Sequence, residues 1–182
     1  MTLVPRTDRG FSLIELLLTV TVIGTVIAMA VPVMTDMTAS IKLNEASRMV
    51  ERELQGARLK SVSVNRSLRV RLNCPAVGYV RRVEVVGAAA IDDASDRCMT
   101  VPYPWPAPDT DLTTRPNYDG PAIVIPNQAT VTGVDLQFNP DGTTWQYVAN
   151  TVTPIDTVTL TITRRGKSRT VTVNGAGKIQ LQ

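Results

Sequence analysis

An α+β fold is predicted for this chain, with one long N-terminal helix, membrane-spanning in its first half, packed on a C-terminal antiparallel β-domain. Three features carry the prediction. An apolar run fills residues 11–33, an amphipathic pattern at helical spacing follows over residues 34–64, and residues 65–182 break into short alternating segments divided by Gly, Asn and Pro. Of the 182 residues, the last stretch is long enough for one domain.

The apolar run comes first. Between Phe11 and Val33 there is no Lys, Arg, Asp or His, and such a run can cross a bilayer as a helix. Glu15 is its one charge. A charged side chain at that depth costs about 2.5–3.5 kcal/mol on insertion scales, so a partner or a function is expected for it. Ahead of the run, Arg6 and Arg9 outweigh Asp8, which holds the N-terminus in the cytoplasm and sends the rest of the chain across the membrane. Two other readings compete. Ala28-Met29-Ala30 fits a secretory cleavage pattern that would release a soluble β-domain from Val31, although secretory apolar cores run about 7–15 residues without an internal acid. The third reading is a plain anchor with Glu15 incidental.

Pro32 closes the run, where it removes one backbone hydrogen bond and bends or breaks the helix. Beyond it, Ala39, Leu43, Ala46, Val50, Leu54 and Ala57 recur at three- and four-residue steps, with Lys42, Glu45, Arg48, Glu51, Arg52 and Gln55 on the other faces. One side of this helix is expected to pack on the domain, closely because the stripe is rich in Ala. Asn65 is the expected stop.

Strands are expected next. Leu68, Val70 and Leu72 alternate with Arg69 and Arg71, the pattern of a half-buried strand. Further candidates are residues 79–86, 122–125, 134–138, 144–148, 157–163, 169–173 and 178–181. Asn139-Pro140-Asp141-Gly142, Arg165-Gly166-Lys167 and Asn174-Gly175 supply turns between the later ones, so the last third reads as an antiparallel meander.

The string Arg9-Gly10-Phe11-Ser12-Leu13-Ile14-Glu15-Leu16 resembles the processing motif of type IV pilins and type II secretion pseudopilins. That resemblance implies a leader at residues 1–10, cleavage by a prepilin peptidase between Gly10 and Phe11, N-methylation of the new terminus at Phe11, and a role for Glu15 in guiding assembly. It also implies a helix kink at Pro32, since pilins commonly carry a proline near this point. Expected partners are other major or minor pilins or pseudopilins, the prepilin peptidase and an inner-membrane assembly platform. The expected location is a single pass through the inner membrane, N-terminus cytoplasmic and C-terminal domain periplasmic, and then the pilus or pseudopilus. The physics agrees: the amine of Phe11 and the carboxylate of Glu15 would lie about 6 Å apart along one helix axis, and staggered neighbours could pair them directly. Residues 134–142, 158–163 and 171–179, with helix residues 53–58 leading into Leu68-Arg69-Val70, resemble the GspH/FimT group of minor pilins and pseudopilins.

Cys74 and Cys98 both fall on the outer side of the membrane in this topology, where oxidation is expected. A disulfide there would contribute on the order of 3–4 kcal/mol in the chain-entropy model; free thiols are the alternative. Between residues 101 and 121 six prolines flank Tyr103 and Trp105, which predicts an extended loop whose aromatics either dock a neighbouring subunit or fold back on the domain.

Charge supplies a second reading of function. Removing Arg6, Arg9 and Asp8 with the leader takes 19 basic and 16 acidic residues to 17 and 15, so global attraction to nucleic acid is weak. Arg164, Arg165, Lys167 and Arg169 nevertheless cluster at an expected turn and could hold phosphates. Some FimT-like minor pilins bind DNA during natural transformation, so a DNA-binding competence minor pilin is the alternative. It ranks second because the Gly-Arg-x-Arg pattern associated with that activity appears here only as Gly177-Lys178-Ile179-Gln180. With no His in the chain there is no imidazole base, so no enzyme and no catalytic residue are expected. Asp92, Asp93 and Asp96 match no recognised calcium loop and read as polar surface, so neither metal nor cofactor is expected.

Overall fold

The computed structural model describes residues 12–93, 95–98 and 118–182, and the chain divides into two compact units, Met1–Thr38 and Ala39–Gln182. Helix α1 spans Leu13–Val64 as one 52-residue element with Pro32 inside it. The Pro32 carbonyl accepts the Thr35 hydroxyl at 2.8 Å, and the helix continues past this point.

In the second unit the expected stripe of α1 is the buried one. Leu43, Ala46, Val50, Leu54 and Ala57 are buried and Ala39 is half-buried. Ser47 and Ser61 share that face although both are polar. Each hydroxyl donates back into the helix, Ser47 to the Leu43 carbonyl at 2.9 Å and Ser61 to the Arg58 carbonyl at 2.7 Å, so burial leaves neither unpaired. Asn65 ends the helix with φ 53°, and the Arg66 N–H reaches back to the Ser61 carbonyl at 3.2 Å, which closes the last turn as a Schellman motif.

Among the described residues ten strands follow: β1 Leu68–Leu72, β2 Tyr79–Glu84, β3 Ala122–Val124, β4 Thr130–Thr132, β5 Asp135–Phe138, β6 Thr144–Val148, β7 Thr151–Pro154, β8 Thr157–Arg164, β9 Lys167–Asn174 and β10 Ile179–Leu181. They form a six-stranded sheet, β3-β2-β1-β5-β6-β7, and a four-stranded sheet, β10-β9-β8-β4, with antiparallel pairing throughout. Val70, Val80, Leu136 and Phe138 from the first sheet and Val131, Leu160, Ile162, Val171 and Val173 from the second form one core with the helix stripe.

The expected single meander is therefore two. β5-β6-β7 belongs to one sheet and β8-β9-β10 to the other. The division falls at 155–156, beside a close backbone approach: the Gly175 carbonyl accepts the Thr144 N–H at 2.8 Å, the Gly175 N–H donates to the Asp156 carbonyl at 3.1 Å, and a Cβ at Gly175 would clash with the Ile155 carbonyl oxygen. The β8–β9 hairpin turns on Arg165-Gly166, both with positive φ, and β6–β7 turns on Ala149-Asn150 in the same manner. Strand β1 also departs from expectation. Alternation assigns Arg69 to its solvent face, yet the residue is 2 % exposed.

Candidate functional site

The first unit shows the feature on which function turns. Over the most apolar stretch of α1 no residue is buried, and Leu13, Ile14, Leu18, Val22, Val26 and Ile23 are each more than half exposed. Those residues point to all sides. A helix apolar all round belongs in a protein core or a membrane, and it is long and apolar enough to cross one. Its threonines do not contradict this. The hydroxyls of Thr19, Thr21 and Thr25 donate to the carbonyls of Leu16, Leu18 and Val22 at 2.8–2.9 Å, so they ask nothing of the surroundings. Glu15 stands apart as the acidic residue of the first helical turn, exposed and close to the positive end of the helix dipole. Gly10 and Phe11, the expected cleavage and methylation positions, lie outside the described residues, as do Tyr103 and Trp105.

In the second unit Asp92 and Asp93, which sequence reasoning placed at the surface, join a largely buried network of charged groups. Arg97 is 1 % exposed; its Nε donates to Asp119 Oδ2 at 3.0 Å and its Nη2 to the Glu84 carbonyl at 2.6 Å. The same Asp119 accepts the Glu84 N–H at 2.6 Å. Asp92 is no part of a polar surface: it is buried, accepts the backbone N–H groups of Val86 and Gly87, and pairs with Arg97 at 3.5 Å. Asp93 pairs instead with Arg69 at 3.1 Å, and the Arg69 guanidinium lies 3.5 Å from the centre of the Tyr147 ring. Burial pulls the Arg81 guanidinium below its ordinary pKa, opposed by Asp119 and reinforced by Arg97. Cys74 and Cys98 form a disulfide, Cα atoms 4.9 Å apart, which fastens the short 3-10 helix Ser95–Cys98 beside this network. Among the described residues no group of acids and cysteines is arranged to hold a metal.

The four basic residues named from sequence do meet at one hairpin tip. Arg164 pairs with Lys167 across the β8–β9 ladder, and Arg169 pairs with Ile162. Two of them are occupied within the chain: Arg164 Nε donates to the Asn127 carbonyl at 2.8 Å and Lys167 Nζ to the Ser40 hydroxyl at 3.3 Å. Arg165 and Arg169 are exposed.

Comparison with known proteins adds three findings. The prokaryotic N-terminal methylation motif matches residues 5–31. No curated protein matches the chain. Among solved structures, the type IV minor pilin FimU of Pseudomonas aeruginosa is similar in two crystal forms. The P21 form is 18 % identical with a TM-score of 0.48, covering 80 % of this chain and 92 % of that one. The P65 form is 18 % identical with a TM-score of 0.44, covering 76 % and 91 %. The chain thus carries a prokaryotic N-terminal methylation motif at the head of a long apolar helix, with antiparallel sheets behind it.

Proposed function

We propose that the protein is a minor pilin or pseudopilin, a structural subunit rather than an enzyme. In this reading residues 1–10 are removed by a prepilin peptidase after Gly10, Phe11 is N-methylated, and α1 anchors the subunit in the inner membrane with the β-domain periplasmic. The helix then passes into a type IV pilus or type II secretion pseudopilus among other pilins or pseudopilins, drawn from the bilayer by the assembly platform. Glu15 meets the Phe11 amine of a neighbour, and Pro32 bends the helix without ending it. One observation carries this reading: the first stretch of α1 is apolar on every side, satisfies its hydroxyls internally and keeps a single carboxylate one turn from the methylation site. A carboxylate in hydrocarbon is costly, and a cationic amine in the next subunit removes that cost only on assembly.

Mass spectrometry of the purified membrane form tests it. The expected N-terminus is N-methyl-Phe11, and a terminus at Val31 would end the reading in favour of a secreted soluble domain. The DNA-binding alternative ranks below, because Arg164 and Lys167 are engaged in contacts within the chain.

A further inference from the structure

The outer face of the six-stranded sheet carries a cavity that the proposed assembly does not use. Register places Arg69, Gln137 and Trp145 side by side on β1, β5 and β6, on the face opposite Val70 and Leu136 of the core. Tyr147 follows two residues along β6, about 7 Å further on the same face, and pairs with Val152 of the edge strand β7. With Asp93 these side chains line an open cavity of about 270 Å³.

Its floor is polar and already arranged. Arg69, 2 % exposed, donates through Nη1 to Asp93 Oδ1 at 3.1 Å and through Nη2 to Gln137 Oε1 at 3.4 Å. Its Nε is buried with no acceptor among the described residues, so the floor carries one donor more than the protein uses. The Tyr147 ring packs on the guanidinium, and its hydroxyl donates to Asn150 Oδ1 at 2.9 Å. Trp145, in the cavity wall, is 36 % exposed.

Charge decides what this cavity accepts. Asp93 matches Arg69, and Asp92, also in the lining, is matched by Arg97, so no surplus is left to hold a phosphate or an ammonium. What remains is hydrogen-bonding capacity beside carbon surface. The Asp93 carboxylate, 25 % exposed, has lone pairs beyond the one given to Arg69, the Asn150 amide donates, and Trp145 and Val152 present apolar walls. A pyranose ring has the same dual character, with hydroxyls around its rim and a C–H face that packs on an aromatic ring. The cavity is at the small end of ligand sites, which suits one such ring.

We propose that this cavity binds a neutral saccharide, one pyranose ring seated against Trp145 with its hydroxyls towards Asp93, Asn150 and the Arg69–Gln137 pair. The site lies wholly within the second unit and does not depend on the pilin reading.

The test uses the full chain in a zwitterionic detergent, since glycoside detergents would compete. Saturation-transfer NMR is recorded with the methyl glycosides of glucose, galactose and N-acetylglucosamine, and with cellotetraose and chitotetraose. At least one is expected to bind with a dissociation constant of about 1 mM, as so small a ligand permits. Trp145→Ala should weaken binding about tenfold and Trp145→Phe much less. Asn150→Gly, which keeps the positive φ of that turn, should weaken it about fivefold. Val124→Ala, on the opposite edge strand β3, should leave it unchanged. Tighter binding of a tetrasaccharide than of its monomer assigns the site to a polymer, and equal binding assigns it to a free sugar; both support the proposal. No transfer to any of these sugars at about 20 mM, twentyfold above the expected constant, overturns it. So does binding that survives both Trp145→Ala and Asn150→Gly, or glucose 6-phosphate binding more tightly than methyl glucoside.

Discussion

The two ends of α1 have the same backbone and opposite surroundings. Up to Thr38 the helix has apolar side chains on all faces and no buried residue in its most apolar stretch; from Ala39 onward it has one narrow stripe, Leu43 to Ala57, buried to 3 % exposure or less. The difference lies in the spacing of polar residues, since helix propensity supports both stretches. Polar groups on three faces restrict the later part to a single protein partner, whereas their absence in the earlier part demands a solvent that is apolar in every direction.

The largest expected effect probes the buried side of this contrast. Asp119→Ala removes the carboxylate facing the buried Arg97 guanidinium and should destabilise the second unit by about 3–5 kcal/mol, read by chemical denaturation of the full chain in detergent. A loss under about 1 kcal/mol would mean that water replaces the carboxylate. Leu54→Ala comes next, at about 2–5 kcal/mol in the same measurement, because Leu54 is 0 % exposed in the centre of the stripe. Leu17→Ala, its counterpart in the first stretch, should change that stability by less than about 0.5 kcal/mol. Equal effects at Leu17 and Leu54 would erase the distinction between the two stretches.

Glu15→Ala separates stability from assembly. Unfolding of the second unit should be unchanged and membrane insertion retained or improved, while incorporation into fibres, measured by immunoblotting of sheared filaments, should fall sharply. Normal incorporation would remove Glu15 from the proposed contact.

The smallest effect concerns Asp135, whose carboxyl is raised above the ordinary range by burial, against the lowering influence of the Leu72 N–H and of Arg71. The folded state therefore holds this proton more tightly than the unfolded chain. Its contribution to stability should be present at low pH and decline as pH rises from the ordinary carboxyl value through the raised one. Asp135→Asn, which keeps an acceptor for Leu72, should flatten that part of the stability–pH curve; an unaltered curve would assign the slope elsewhere.

What could be read from sequence was what local spacing determines. The stripe of α1, its stop at Asn65 and the β8–β9 hairpin all follow from periodicity or turn chemistry within a few residues. Strand β4 escapes such a reading because Thr130-Val131-Thr132 is too short to show a period, and β7 because Ala149-Asn150 makes a positive-φ turn without the usual glycine. The buried arginines mislead for a different reason. Alternation assigns a charge to the outer face of a strand by default, and only a partner far along the chain, Asp93, reverses that assignment for Arg69; Arg97 lies in a 3-10 helix that no periodicity marks, and its partner Asp119 is equally remote in sequence. The split into two sheets is equally invisible, since it depends on Gly175 meeting residues 144 and 156.

The threonines of the first helical stretch have a thermodynamic consequence. Thr19, Thr21 and Thr25 spend their only donors on carbonyls of their own helix, so leaving lipid for the interior of a fibre breaks no hydrogen bond that they make. Returning breaks none either. In the proposed assembly, transfer between the two apolar phases is then close to symmetrical for these threonines, and the difference between extraction and return falls on Glu15.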